Sequence, residues 1–211
     1  MKQITSNSNA IKHLMNVDDQ LAKVIQTIGP ISYSLHRDGF SFLVHEIIEQ
    51  MLSKKSGAII YSRLQNLCNY QITPYSISIL SEADLNSVGI SRRKARYIKS
   101  LAEDVISSKI DLTLLPDMSD IEAINKLLNL RGVGMWTAKM YLIFVLDRED
   151  ILPYEDGAFI QVFKWLYSTE DISKSNIEHI CRKWSPYSSI AARYFYKALD
   201  SGLTKQNIST Y

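Results

Sequence analysis

Leu130-Arg131-Gly132-Val133-Gly134-Met135-Trp136-Thr137-Ala138 is the stretch whose residue types could do chemistry most directly. Glycines lack Cβ atoms, so the Gly132-x-Gly134 turn lets backbone N–H groups come close to a partner. If a helix opens at this turn, its free N–H groups and its dipole favour an anion such as phosphate. Downstream, Leu152-Pro153-Tyr154-Glu155-Asp156-Gly157 sets a carboxylate after a Pro-containing turn and ahead of an apolar run. Taken alone, Asp156 reads first as a helix N-cap. It also reads as a fixed negative charge at a place where a helix dipole favours the ionised form. By themselves these residues leave both readings open, and the Gly-rich turn could serve packing alone.

The elements that must position these residues are helical. Ser119 and Glu122 fit a capping box, and Ile121, Ile124, Leu127 and Leu128 fall on one face of the helix it starts. A second apolar run, Ala138 to Leu146, follows the turn, so the pair reads as a helical hairpin. Upstream, Val44, Ile47, Ile48, Met51 and Leu52 repeat with helical spacing. Gly57 is expected to interrupt before Ile59, Ile60, Leu64 and Leu67. Thr73-Pro74, Ser81 with Asp84, and Ser91 mark further helix starts, the last opening a helix with Ala95, Ile98, Leu101, Ala102 and Val105 inward. In the N-terminal part, Asn9 is expected to cap one short helix and Asp18 or Asp19 to open the next, which Gly29-Pro30 ends. Ile31, Tyr33 and Leu35 alternate, but a lone short strand has no partner, so an extended linker is expected. Ser185-Pro186 reads as a cap with a first-turn proline for the last helix. Almost nothing else alternates at period two, which predicts an all-α fold of about ten helices.

Leu-x-Gly-Val-Gly-x-x-Thr-Ala, a helix, then Pro-x-x-Asp resembles the helix-hairpin-helix, Gly/Pro-rich, Asp-ended superfamily of DNA base-excision glycosylases. Gly89-Ile90-Ser91-Arg92-Arg93-Lys94-Ala95 and Trp184-Ser185-Pro186-Tyr187 are similar to segments of the DNA-3-methyladenine glycosylase II type. The resemblance implies two helical subdomains with an active-site cleft between them. One is formed by 1–38 plus 158–211, and the other by 39–157 with the hairpin at about 120–146. It also implies a catalytic role for Asp156. Breaking an N-glycosidic bond builds positive charge on the sugar, which one fixed carboxylate can stabilise while orienting a water.

Trp136 stands where lyase-competent members carry a Schiff-base lysine. The resemblance therefore implies a monofunctional hydrolase that excises alkylated purines of the 3-methyladenine and 7-methylguanine kind in base excision repair. The alternatives are a bifunctional glycosylase/lyase and a non-catalytic DNA-binding protein of the same fold. A flipped cationic purine would be held by aromatic faces, and the candidates are Trp136, Tyr141, Tyr187 and Tyr196. Met140 stands where the pattern has another aromatic, so the pocket is expected to differ in shape.

Gly132, Gly134, Thr137 and Lys139 are the expected phosphate contacts at the hairpin. Ser53, Lys54, Ser91 and Lys94 match contact positions elsewhere. Arg92, Arg93, Lys94, Arg96 and Lys99 form the densest basic cluster, with a solvated surface as the plain alternative. Met51 is the candidate wedge for the gap left by the flipped base, although its helical spacing equally predicts core burial. The carbonyls of Leu128, Leu130 and Val133 would hold a monovalent cation in such a hairpin.

Composition excludes little. With 24 basic and 22 acidic residues the formal net charge is +2, so affinity for a polyanion must come from local patches. Two cysteines cannot supply the four that an iron–sulfur cluster needs, and they suggest a reducing compartment. No apolar run approaches the ~20 residues of a membrane span. Met1 to Asn9 lacks the apolar core of a signal peptide. The expectation is a cytoplasmic monomer that requires no cofactor and whose partner is double-stranded DNA with alkylated bases.

Overall fold

The computed structural model describes residues 1–206, and among these the fold is all-α apart from one small ribbon. The chain divides into two compact units, His36–Leu146 and a unit made by both ends, Met1–Leu35 with Asp147–Tyr211.

The terminal unit begins with β1 (Lys2–Ile4), α1 (Asn9–Val17), α2 (Asp19–Ile28) and β2 (Ile31–Tyr33). The expected linker is thus a strand. It pairs antiparallel with Lys2–Ile4, in the register Lys2↔Tyr33 and Ile4↔Ile31. The polar N-terminus supplies the missing partner, and Ile4 and Ile31 bury the inward face.

The central unit holds α3 (Gly39–Glu49), α4 (Lys54–Leu67), α5 (Pro74–Ser78), α6 (Glu82–Ser87), α7 (Arg92–Ile106), α8 (Asp120–Leu128) and α9 (Met135–Phe144). The chain then returns to the terminal unit with α10 (Gly157–Tyr167), α11 (Lys174–Cys181) and α12 (Ser188–Asp200). Short 3₁₀ turns cover Leu112–Asp117, Arg182–Trp184 and Leu203–Lys205.

Local signals set most helix starts. Thr73/Ser76, Ser81/Asp84 and Ser119/Glu122 each close a capping box, and Ser91 caps α7. Each such cap stabilises its helix by about 1 kcal/mol. Three boundaries differ from expectation. The N-cap of α1 is Ser8, whose Oγ accepts from Ile11 N–H, and Asn9 is the first residue of the helix. The break after α3 falls at Gln50–Ser53, not at Gly57, which is buried inside α4 where a Cβ would lie 2.8 Å from Glu49 Cγ. Pro186 lies ahead of α12, whose N-cap is Tyr187, and the Ser185–Pro186 peptide is cis.

The division between units also shifts. The return to the terminal unit comes at Asp147, before the expected residue 158, so Asp156 belongs with α10 and α12. Hydrogen bonds hold this segment there: Ser189 N–H donates to the Glu149 carbonyl at 2.9 Å, Ile151 N–H to Ser189 Oγ at 2.9 Å, and Ser188 Oγ to Asp150 Oδ1 at 2.6 Å.

The terminal core is aromatic. Phe159 packs 5.0 Å from Phe195 and 6.2 Å from Trp184, and Trp184 meets Phe195 edge-on at 5.3 Å. Asp18 sits in this core at 1% exposure. It caps α2 through Gln20 and Leu21 N–H, and it accepts from Tyr167 Oη at 2.5 Å and Trp184 Nε1 at 2.8 Å. Lys183 Nζ stands 3.1 Å away. This buried carboxylate ties α2, α10 and the Arg182–Trp184 turn together.

Candidate active site

α8 ends at Leu128 and α9 begins at Met135, and the turn between them bends on Gly132 at φ 84°. Glycine is required there twice over. The left-handed backbone disfavours any Cβ, and a Cβ would lie 2.5 Å from Tyr97 Cδ2. Gln50 Nε2 secures the same residue by donating to the Gly132 carbonyl at 2.8 Å. Neither Tyr97 nor Gln50 stood out in the sequence, because only the tertiary fold brings them to a turn so distant in the chain.

Gly134 is the N-cap of α9 and has no side chain to satisfy the first-turn N–H groups. A Cβ on Gly134 would meet open space, and the residue is exposed. The N-terminus of α9 therefore has no side-chain cap on its first-turn N–H groups, at an end where the helix dipole favours negative charge.

The side chains just beyond divide sharply. Trp136 is half-buried at the start of α9. Thr137 is 1% exposed and Lys139 8%, so neither side chain lies on the surface as a phosphate contact would require. What Thr137 can contribute is its N–H in the first turn of α9. Met140 and Tyr141 are likewise in the core. The Tyr141 ring stands edge-on to Phe42 at 5.9 Å, its hydroxyl lies against Gly39, and burial pushes its pKa up. The apolar run that defined α9 is buried on nearly every side, and this takes Met140 and Tyr141 out of the candidate base pocket.

Asp156 caps α10, its Oδ1 accepting from Phe159 N–H at 2.8 Å. The tight turn Pro153–Asp156 closes through Asp156 N–H to the Pro153 carbonyl at 3.0 Å. The cap reading is thereby met, and the same bond holds the carboxylate in one orientation at the positive end of a helix. The group is 9% exposed. Tyr196 is half-buried on α12 against the terminal core. Tyr187, also half-buried, meets His13 edge-on at 5.5 Å. It lines a cavity of about 410 Å³ with Lys2, Tyr33, Glu149 and others, and Asp156 is not among them.

Of the other candidates, Ser53 and Ser91 are exposed N-caps of α4 and α7, and Lys54 is exposed beside Ser53. Lys94 is not a surface contact. It is 9% exposed, and its Nζ donates to the carbonyls of Ile48 at 2.7 Å and Gln50 at 2.6 Å. Burial, then the charge of Arg93, lowers its pKa. Lys94 thus binds carbonyls at the C-terminal end of α3, and Met51 lies beyond that end. Val44, Ile47 and Ile48 are fully buried, but Met51 lies past the helix end at φ 58° and is 97% exposed. The core reading of Met51 is overturned, and a bare apolar side chain stands at the loop tip.

The expected cation ligands fit the turn in part. The Leu130 carbonyl accepts from Val133 N–H at 3.2 Å. The carbonyls of Leu128 and Val133 accept no hydrogen bond among the described residues, so both have lone pairs to offer.

Residues 44–186 match the family model of the HhH-GPD superfamily base excision DNA repair protein. The chain belongs to the HhH-GPD superfamily. Within it, the chain is 27% identical to DNA-3-methyladenine glycosylase 1 of Schizosaccharomyces pombe over 201 residues, 92% of this chain and 88% of that protein. Among solved structures, DNA-3-methyladenine glycosidase from Bacillus halodurans superposes with a TM-score of 0.82 at 30% identity, covering 94% of this chain and 92% of that one. The S. pombe 3-methyladenine DNA glycosylase Mag1, solved in complex with abasic DNA, gives 0.83 at 26% identity, covering 90% and 96%. α8, α9 and Asp156 all lie within the matched residues.

Proposed function

We propose that this protein is a monofunctional DNA glycosylase that removes alkylated purines in base excision repair. The observation that carries the reading is the combination, in one HhH-GPD chain, of an uncapped α9 N-terminus at Gly134, a carboxylate held at the start of α10, and tryptophan at position 136. The relatives named for 3-methyladenine support the substrate class.

DNA would dock with a backbone phosphate on the N–H groups of the α9 N-terminus. The carbonyls of Leu128, Leu130 and Val133 would hold a monovalent cation, whose positive charge would favour the approach of DNA phosphate. Met51 would fill the space vacated by the flipped nucleotide, because an exposed apolar side chain at a loop tip suits insertion between bases. Base flipping must precede chemistry, since the glycosidic bond is unreachable in the stack.

N3- or N7-alkylation makes the purine cationic and a good leaving group. As C1′–N cleaves, the electron pair departs with the base and positive charge develops on the sugar. Asp156 would stabilise that charge and orient a water, which would add to C1′ and give up its proton to bulk water. Trp136 would offer a ring face to the base, with Tyr196 as a second candidate.

The direct experiment measures release of 3-methyladenine and 7-methylguanine from alkylated duplex DNA. Free base should appear with the strand left intact until alkali or heat is applied. Borohydride should trap no covalent adduct, because Trp136 cannot form a Schiff base and Lys139, the lysine of α9, is buried. A trapped adduct with the unmodified protein would establish the lyase reading instead. DNA binding without base release would establish the non-catalytic one.

Gly134→Asp tests the hairpin as the anchor. The new side chain has room, and aspartate is a good N-cap, so the variant should fold at least as stably as the parent. Its carboxylate would fill the anion position, so affinity for an abasic-site duplex should fall alike for all sequences. Unchanged affinity in the folded variant removes the hairpin from the interface.

A further inference from the structure

Arg93, Arg96 and Arg131 surround one cavity of about 320 Å³, and Tyr97 completes its lining. Positions 93, 96 and 97 share one face of α7 by helical spacing. Arg131 arrives from the hairpin turn. The contact between Tyr97 and Gly132 makes the juxtaposition rigid, because the ring lies directly under the left-handed glycine that follows Arg131.

The charges here are unbalanced. All three arginines are exposed. Arg96 Nε donates to the Arg92 carbonyl at 3.4 Å, and no carboxylate pairs with Arg93, Arg96 or Arg131 among the described residues. The two lysines of the same helix are spent differently. Lys94 closes the end of α3, and Lys99 Nζ donates to the carbonyls of Ser78 at 2.7 Å and Leu80 at 2.6 Å. α7 therefore turns its lysines inward onto helix ends and keeps its arginines for a shared concavity. Three positive charges around one concavity attract an anion, which would relieve their mutual repulsion. Planar guanidinium groups suit the two oxygens of a phosphodiester, to which they donate in parallel.

We propose that Arg93, Arg96 and Arg131 form a second phosphate cradle, beside the hairpin, that holds a DNA backbone phosphate other than the one at the α9 N-terminus. The proposal rests on the glycosylase reading. It extends the DNA interface from the amides of the turn onto the exposed face of α7.

The test uses the full chain and a fluorescent duplex with a tetrahydrofuran abasic analogue, titrated between about 50 and 200 mM salt, where phosphate contacts dominate the affinity change. Each phosphate contact contributes about 0.9 to the slope of log affinity against log salt. Arg93→Ala/Arg96→Ala/Arg131→Ala should reduce the slope by about 1–3 and weaken binding at least about tenfold at the low-salt end. The matching triple lysine variant retains charge and should recover most of the slope. Single-turnover base release by the triple alanine variant should fall at low protein concentration and recover as the protein concentration is raised, as expected when docking rather than chemistry is weakened.

An unchanged slope in a triple alanine variant with native circular dichroism overturns the cradle, and would leave an acidic protein segment as the ligand to seek. If Gly134→Asp still weakens binding in that case, only the cradle fails. If Gly134→Asp binds normally as well, the reading of the hairpin as DNA anchor falls with it.

Discussion

Asp156→Asn is expected to lower base release by about 10²–10³-fold, the range found when one preorganised electrostatic contact to a transition state is removed. Asparagine is as good an N-cap as aspartate, so the bond to Phe159 N–H and the start of α10 should survive. Only the charge is lost, and charge is what an oxocarbenium-like sugar needs. Affinity for an abasic-site duplex should stay close to that of the parent. The neighbouring Glu155→Gln is the control. Glu155 is only partly buried and is not the N-cap of α10, and most activity should remain. Single-turnover base release for the three proteins decides the matter. Near-normal turnover by Asp156→Asn would reduce Asp156 to a helix cap and leave the chemistry without its carboxylate.

Asp18→Ala is expected to cost about 3–5 kcal/mol, the range for breaking a buried charged network by removing one partner. The substitution strands Trp184 Nε1 in an aromatic core, leaves the Tyr167 hydroxyl without its acceptor, and uncaps α2. At about 2–4 °C per kcal/mol for a chain of this size, the melting temperature should fall by roughly 6–20 °C. The network also predicts a pH dependence. Burial alone would raise the Asp18 pKa, but the donors Tyr167, Trp184, Leu21 and Lys183 together hold it below the ordinary value of 3.8. A carboxylate with a depressed folded pKa contributes stability that is fully present above its unfolded pKa and is lost as pH falls through the folded one. The parent should therefore lose stability below about pH 4, and Asp18→Asn should flatten that acid limb. Thermal melts of parent and variant from neutral pH to pH 3 measure both effects. A parallel pair of stability curves would show that Asp18 carries no net electrostatic stabilisation.

Sequence by itself determined the local parts of this protein. Ser119 with Glu122, Thr73 with Pro74 and Ser91 start their helices because a cap bonds only to N–H groups two or three residues on. Gly132 and Gly134 mark the hairpin because a left-handed turn and an open helix start are written in adjacent residues. Asp156 was readable as a capped carboxylate for the same reason, and the catalytic role proposed for it comes from the resemblance.

Tertiary structure decided where each side chain went once the backbone was in place. Lys94 and Lys99 read as surface cations, yet they close the ends of α3 and α5 because those carbonyls arrive from elsewhere in the fold. Met51 read as core because it continued the α3 periodicity, but α3 stops where Lys94 occupies its carbonyls. Tyr141, Met140, Thr137 and Lys139 lie on a helix buried on nearly every side, where periodicity carries no information about which face is exposed. The Lys2–Ile4 strand was invisible until Ile31–Tyr33 came beside it. The arginine cradle needed Tyr97 to meet Gly132 across the fold. A side chain's local pattern sets its helix and its face, but its exposure and its hydrogen-bond partners are set by residues far away in the chain.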